Sequence, residues 1–188
     1  MAAGKGRRMR PLSERWPKPL LPIDGKPVIV SVLRQLEEAG LGPTTVVVGH
    51  LGDQIRRLLD GLDVRFADQP EPLGSADAVR CAVQAGATAP FVVTAADTLY
   101  VEGDLRRFVE AWEQSGAEGA QAPPLWGLGP RLAAFLDDLS GPPFELLEAF
   151  RRAAEQGVQV VPVELARGRD LTDPADVVRH NFVYLEDR

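Results

Sequence analysis

The chain has one cysteine, Cys81, among its 188 residues. A single cysteine excludes an internal disulfide framework and is compatible with a reducing compartment. No apolar run is long enough to span a bilayer. The first residues carry no hydrophobic segment of the secretory kind, so no signal peptide is expected and a cytoplasmic location is. Cations are in deficit: 21 Lys and Arg stand against 27 Asp and Glu, a formal charge of −6. With a pI of about 5.0, the surface has no excess of cations to neutralise a phosphate backbone, which excludes a general nucleic-acid binder. Internal repeats and low-complexity linkers are absent. The remaining composition, 45% hydrophobic and 26% charged, is that of an ordinary globular chain long enough for one well-buried domain.

Against that acidic background the N-terminus stands out. Ala2-Ala3-Gly4-Lys5-Gly6-Arg7-Arg8-Met9-Arg10-Pro11-Leu12 sets two glycines one residue apart beside a cluster of cations. Glycine lets backbone N–H groups approach a ligand closely, and a concave array of such groups binds anions. Pro17-Lys18-Pro19-Leu20 then holds a lysine between two prolines, which predicts a stiff extended segment. A positioned lysine beside a glycine loop suits polyphosphate chemistry. Alone, a GxG is most often a turn and a basic run most often a solvated face. Their combination is more specific.

The rest of the chain alternates short apolar strands with amphipathic helices. Asp24-Gly25 signals a turn, Val28–Ala39 a helix, and Thr44-Thr45-Val46-Val47-Val48 a buried parallel strand. His50 follows that strand, where a lone histidine is most often structural. Residues 53–62 read as a helix with Ile55, Leu58 and Leu59 inward, and residues 64–66 as a strand. Asp68-Gln69-Pro70-Glu71-Pro72-Leu73-Gly74-Ser75 reads as a rigid loop, with Ser75 positioned to cap a helix over 76–85 that turns Val79 and Val83 to one face. A strand over 90–95 ends at Asp97, where a carboxylate is either a helix cap or a metal ligand. Helices follow at 104–115, 130–138 and 144–156, a strand at 158–163, a helix from 175 to 181, and a short tail at Phe182–Leu185. This alternation predicts an α/β fold, a Rossmann-like three-layer α/β/α arrangement with a mostly parallel central sheet.

Taken together, Ala-Ala-Gly-x-Gly-x-Arg-Met-x-Pro-Leu followed by Pro-Lys-Pro-Leu resembles the signature of the sugar-phosphate nucleotidylyltransferases. The resemblance implies that a nucleoside triphosphate and a sugar 1-phosphate combine to an NDP-sugar with release of pyrophosphate, with Mg²⁺ as cofactor. It implies that Ala3, Gly4 and Gly6 line the triphosphate, that Arg8 holds its pyrophosphate end and that Lys18 contacts the reacting phosphates. Gln69, Gly74 and Ser75 match the loop that contacts the base. Asp97 matches the metal-binding aspartate, although Ala96 replaces the usual glycine before it. Arg169-Asp170-Leu171-Thr172-Asp173-Pro174 resembles the closing motif without its aromatic, which implies that Asp170 is a second metal ligand. A homo-oligomer is possible on the same basis.

Two departures qualify the resemblance. The family's glycine loop follows a buried strand, whereas these residues begin within the loop, so residues before Met1 or a missing strand are both open. The family's sugar-facing Glu-Lys-Pro motif is also absent, which predicts a break or a close join at Ala120–Gln121 and a crevice open on the sugar side. A continuous chain there, with Arg8, Lys18, Asp97 and Asp170 together, would favour a minimal or binding-only variant. The alternatives are a catalytically weak nucleotide-binding or regulatory module, or transfer to a non-sugar phosphate. The Pro-Lys-Pro spacing disfavours the molybdenum-cofactor type.

Overall fold

The structure, a computed structural model, describes residues 1–182. A hairpin of β1 (Pro22–Ile23) and β2 (Lys26–Pro27) turns at Asp24-Gly25, both of which hold positive φ. Then come α1 (Val28–Glu38), β3 (Thr44–Val48), α2 (Gly52–Leu58), β4 (Val64–Asp68) and α3 (Ser75–Gln84). The middle of the chain supplies β5 (Phe91–Thr94), β6 (Thr98–Leu99), α4 (Asp104–Ser115), β7 (Gly119–Ala122) and β8 (Leu125–Leu128). It closes with α5 (Pro130–Ala133), α6 (Leu146–Glu155), β9 (Val160–Pro162), β10 (Arg169–Asp170) and α7 (Pro174–Asn181).

β3 and β4 pair in parallel, from Thr44↔Val64 to Val48↔Asp68. β8 lies antiparallel between β5 and β7, and β9 runs parallel to β7. Met1–Ala3 join these two halves. Ala2 bridges Val48 in parallel and its N–H donates to Val47 O at 2.8 Å, while Ala96 N–H donates to Met1 O at 2.9 Å. The order is therefore β4-β3-(Met1–Ala3)-β5-β8-β7-β9, with β8 the reversed strand among those described, and the expected mostly parallel sheet is present. Met1–Ala3 reach only the C-terminal ends of β3 and β5. Beyond Met1 a cavity of about 460 Å³ separates the two strands. The Met1 ammonium donates to Thr94 O at 2.6 Å, and burial pushes its pKa down to about 6.

Side chains leave each strand alternately to either face, so the sheet builds two cores at once. On β3, Val46 and Val48 pack with Ile29, Ile55 and Leu59 under α1 and α2, while Val47 packs with Ala67 and Ala78 under α3. On β5, Val92 joins the core around Phe108 and Leu125, and Val93 joins the one around Leu132, Leu146 and Phe150. Each fully buried Leu or Phe contributes roughly 1.5–3 kcal/mol. Helices on both faces thus give the three layers.

Several expectations are corrected. Leu58 is exposed while Ile55 and Leu59 are buried, because α2 stops at Leu58 and Leu59 turns back onto the core. Val83 shares the stripe of Ala76 and Val79 but is exposed, because it lies in the last turn of α3, beyond the stretch that packs on the sheet. The helix expected over 130–138 shortens to α5 and a 3₁₀ turn at Ala134–Leu136. Ala120–Gln121 is neither a break nor a join between elements. Both residues lie inside β7, whose pairing with β8 is continuous from Gly119↔Leu128 to Ala122↔Leu125. The run 121–128 bends at Pro123-Pro124 into the β7–β8 hairpin, since two prolines without donors interrupt the ladder. Beyond Phe182 the expected tail lies outside the described residues.

The start of α7 follows its sequence signal. Asp173 accepts from Ala175 N–H at 2.8 Å, and Asp176 accepts from the Asp173 and Thr172 N–H groups at 2.9 and 2.7 Å. Pro174 at the first position loses a donor the helix does not need there. Asp173→Ala is therefore expected to cost about 1 kcal/mol, and Asp173→Ser much less. Equal midpoints for native and Asp173→Ala in urea unfolding would show that the cap contributes nothing.

Candidate functional site

Parallel strands deliver their C-terminal ends to one edge. Here Ala3-Gly4 leaves the sheet beside Val48-Gly49-His50, Asp68-Gln69 and Thr94–Asp97. Gly6 holds φ +57, the left-handed conformation glycine adopts without strain, and begins the 3₁₀ turn Arg7–Met9. Met9 is fully buried and anchors the loop, which leaves Arg8 exposed. His50 ties the loop's two limbs. Its N–H donates to Ala3 O at 3.4 Å, and its Nε2 lies 3.2 Å from Ser13 O. A carbonyl can only accept, so Nε2 carries the proton there.

Lys18 opens a 3₁₀ turn, Lys18–Leu20, rather than an extended segment. Pro19 is buried, and in a first turn its missing N–H costs nothing, so packing overrides the extended preference before proline. The turn aims Lys18 at Asp97, with which it forms an ion pair, and both side chains are about four-fifths buried. Asp97 is not a helix cap, since β6 follows it directly. β10 pairs antiparallel with β6, Asp170↔Thr98, and Leu171 N–H donates to Asp97 O at 3.1 Å. That pairing brings Asp170 to the same edge as Asp97.

Two cavities open there. One of about 370 Å³ is lined by Ala3, Gly4, Gly6, Gln69, Gly74 and Ser75. The other, about 830 Å³, is lined by Arg8, Asp170, Tyr100 and the loop after β9. Lys18, Ala95 and Asp97 line both. The lysine–aspartate pair therefore sits where the chambers meet. A Cβ on Gly4 would meet no atom within 4 Å, so that backbone faces open space. Every site residue expected from the sequence thus lines one chamber or the other.

The loop 69–75 is built differently from its sequence reading. Ser75 does not cap α3, which has Gly74 at its N-cap with no side-chain bond. Instead the Ser75 hydroxyl accepts from Leu146 N–H at 2.8 Å and donates to Glu145 at 2.6 Å, satisfying the start of α6. Gly74 is glycine for packing, since a Cβ there would lie 2.3 Å from Phe144 O. The buried Gln69 amide donates to Gly74 O at 3.0 Å and to Asp77 Oδ2 at 2.8 Å. Both partners are acceptors, so the NH₂ group must face them and Oε1 must face away. Oε1 makes no intramolecular bond and is not among the buried unpartnered atoms, so the first chamber is offered an acceptor. Asp77, itself held by Arg80 at 2.9 Å, was invisible as a site residue: nothing links positions 69 and 77 in the sequence.

The comparisons agree with this geometry. Residues 1–161 match the model of the MobA-like NTP transferase domain. The chain belongs to that family. It is 35% identical over 126 residues to the low-salt glycan biosynthesis nucleotidyltransferase Agl11 of Haloferax volcanii, covering 64% of this chain and 35% of the relative. It is 42% identical over 107 residues to the N-acetylmuramate alpha-1-phosphate uridylyltransferase of Neisseria meningitidis serogroup B, covering 53% and 46%. The chain thus spans less than half the length of these curated relatives. The fold matches an apo UDP-glucose pyrophosphorylase at a TM-score of 0.79 and 17% identity, covering 100% of this chain and 97% of that one. No helix among the described residues is long and apolar enough to cross a membrane.

In this member of the family, the placement of Asp170 depends on its neighbours. Arg169 forks onto Asp24 in the β1–β2 turn, His180 Nε2 lies 3.0 Å from Asp170 O, and Asn181 accepts from Gly25 N–H at 2.8 Å. Hydrogen bonding from Arg169 holds the Asp24 carboxyl below its ordinary pKa. The unfolded chain therefore takes up that proton first on acidification. The stabilisation is present above the ordinary carboxylate value and disappears as pH falls through the lower, folded value. Both side chains are about half exposed, so it amounts to ~1 kcal/mol or less. Asp24→Asn should be less stable than the native chain at pH 7 and indistinguishable from it below both pKa values. A constant difference across that range would remove the ion pair as its cause.

Proposed function

We propose that this chain transfers a nucleotidyl group from a nucleoside triphosphate to a sugar 1-phosphate, giving an NDP-sugar and pyrophosphate. The observation that carries the reading is the pair of chambers meeting at Lys18 and Asp97. One chamber has the dimensions and glycine backbone for a nucleotide, and the other lies beyond the point where its α-phosphate would rest. The relatives named as nucleotidyltransferases of glycan and sugar-phosphate metabolism support the substrate class.

The reaction asks little covalent chemistry of the protein. A phosphate oxygen of the sugar 1-phosphate attacks the α-phosphorus, the bond from that phosphorus to the bridging oxygen breaks, and pyrophosphate leaves in line. The nucleophile is already an anion, so no general base is needed. Catalysis is positioning and charge neutralisation. Gly4 and Gly6 would cradle the triphosphate, Arg8 would hold the departing phosphates, and Gln69 Oε1 would accept from a donor on the base. Lys18 would leave Asp97 for the α-phosphate as charge is redistributed there.

The donor set fits Mg²⁺. Asp97 and Asp170 line one chamber, and Mg²⁺ in phosphoryl transfer takes one or two carboxylates with phosphates and water as the rest. Among the described residues no group of three or more acids, histidines or cysteines is placed to hold a metal. When bound, the ion would supply charge neutralisation on the triphosphate.

A second reading is a binding-only module of the same fold. The continuous β7 together with the grouping of Arg8, Lys18, Asp97 and Asp170 is the combination that favours a minimal variant. Pyrophosphate release from a panel of triphosphates and sugar 1-phosphates separates the two, because a module binds triphosphate without releasing any. For the enzyme, Lys18→Ala is expected to lower kcat by ~10²–10³ with a smaller rise in KM. A change in KM alone would make Lys18 a uniform binding contact. Asp97→Asn should keep the fold and lose most turnover, and unchanged turnover at limiting Mg²⁺ would rule out Asp97 as a ligand.

A further inference from the structure

We propose that the buried hydroxyl pair of Thr94 and Tyr100 is a latch that positions Asp97 and Asp170, with Gln35 of α1 holding the tyrosine in place. This rests on the reading above of the two aspartates as the carboxylates for Mg²⁺. Residues 94–100 leave the end of β5 and return to the core, with Asp97 midway between Thr94 and Tyr100. Side chains close the two ends of this excursion. Thr94 Oγ1 and Tyr100 OH lie 2.6 Å apart, and both residues are buried. The Thr94 hydroxyl has one proton and gives it to Ala95 O at 3.1 Å, so Tyr100 donates and Thr94 accepts. Burial raises the Tyr100 pKa, which keeps that proton on the phenol.

Gln35 secures the backbone of the tyrosine. Its amide donates to Tyr100 O at 2.8 Å and accepts from Tyr100 N–H at 3.1 Å, the exchange a paired strand residue would supply. The segment after Asp97 is thus tied to β5 by a hydroxyl and to α1 by an amide. β10 follows β6, since Asp170 pairs with Thr98 and Leu171 N–H donates to Asp97 O at 3.1 Å. The two aspartates therefore form one unit, and the latch sets where that unit stands against the end of β5. Two further contacts hold the middle of the excursion: Ala96 N–H donates to Met1 O at 2.9 Å, and Asp97 pairs with Lys18. The ion pair is the contact that the proposed phosphate displaces, so the latch and Gln35 keep the segment in place when Asp97 changes partner. Valine and phenylalanine would fill the same space with no polar group to satisfy, so packing does not account for the two hydroxyls. Tyr100 lines the 830 Å³ chamber with Asp97 and Asp170, and neither Thr94 nor Tyr100 lines the 370 Å³ chamber. Loss of the latch should therefore be felt on the metal side.

The test is calorimetric titration of the full chain with UTP, dTTP, CTP, GTP and ATP, each in EDTA and in Mg²⁺. The quantity read is the gain in affinity that Mg²⁺ gives the tightest binder. Tyr100→Phe and Thr94→Val are each expected to reduce that gain by about tenfold or more, while metal-free affinity stays within about twofold. Thr94→Ser keeps the acceptor and should keep the gain. The double variant separates positioning from folding. Thr94→Val alone leaves the Tyr100 hydroxyl buried without a partner, whereas Thr94→Val with Tyr100→Phe removes both hydroxyls. Stability in urea should therefore recover in the double variant while the Mg²⁺ gain does not. Recovery of both, an unchanged gain in the double variant, or equal loss with and without metal overturns the latch. So does a native chain whose triphosphate binding is absent or indifferent to Mg²⁺. A gain that falls in the variants of a chain releasing no pyrophosphate keeps the latch and removes the transferase reading. Pyrophosphate release with the gain unaltered in the variants removes the latch and leaves that reading standing.

Discussion

Each half of the sheet carries only part of the site. β4 leads into Gln69, while β5 and the β6–β10 pair bring Asp97 and Asp170. Between them lie three residues, Met1–Ala3, bonded to Val47 O on one side and to Thr94 O and Ala96 N–H on the other. Those bonds fix the height at which the chain leaves the sheet, and so where Gly4, Gly6 and Arg8 stand relative to Asp97. The join is made of small, buried residues. Ala2 and Ala3 are nearly inaccessible, and a Cβ on Gly49 would lie 3.0 Å from Ala3. Bulk at this seam would push Gly4, Gly6 and Arg8 away from Lys18, Asp97 and Asp170, and the proposed chemistry would tolerate little displacement.

The seam places the charges, and the charges in turn restrain one another. Lys18 and Asp97 are both largely removed from water, where either alone would be costly, and their mutual ion pair offsets that cost. The pair is therefore a resting arrangement of two groups whose proposed partners are anionic phosphate and a divalent cation. Binding both would exchange one ion pair for two favourable contacts, without leaving a buried charge unpaired at either end. An acidic chain still concentrates cations at this one strand edge. The cluster is balanced locally by Asp97 and Asp170 rather than by the net charge of the surface.

How much of this was legible depended on whether a signal is local. The glycine loop, the lysine between prolines and the aspartate after a strand are short-range patterns, and the structure puts all of them at the two chambers. The capping box at Asp173 is local too, and it forms as the spacing implies. What sequence could not show are partnerships across the fold. Ser75 looks like a cap for its own helix but satisfies Leu146, 71 positions away. Gln69 matches a base-contacting loop, yet Asp77 and Gly74 occupy its donors. The apolar run around Pro123-Pro124 hides a hairpin, because its turn consists of residues that also end strands.

The same distinction bears on the missing sugar-facing motif. A reading of motifs in order finds no block for it between Gly116 and Leu128, and the hairpin β7–β8 leaves no room for one. The chamber is nevertheless walled there, because β9 pairs with β7 and hands the loop 163–168 across the opening toward β6. That loop has no regular structure and no distinctive spacing, so its place in the chamber wall carries no sequence signal. Its place comes from topology. A parallel strand at the sheet edge followed by an antiparallel pairing at the catalytic edge forces the connecting segment to span the open side. A short chain can in this way wall a second chamber with residues already required to complete its sheet.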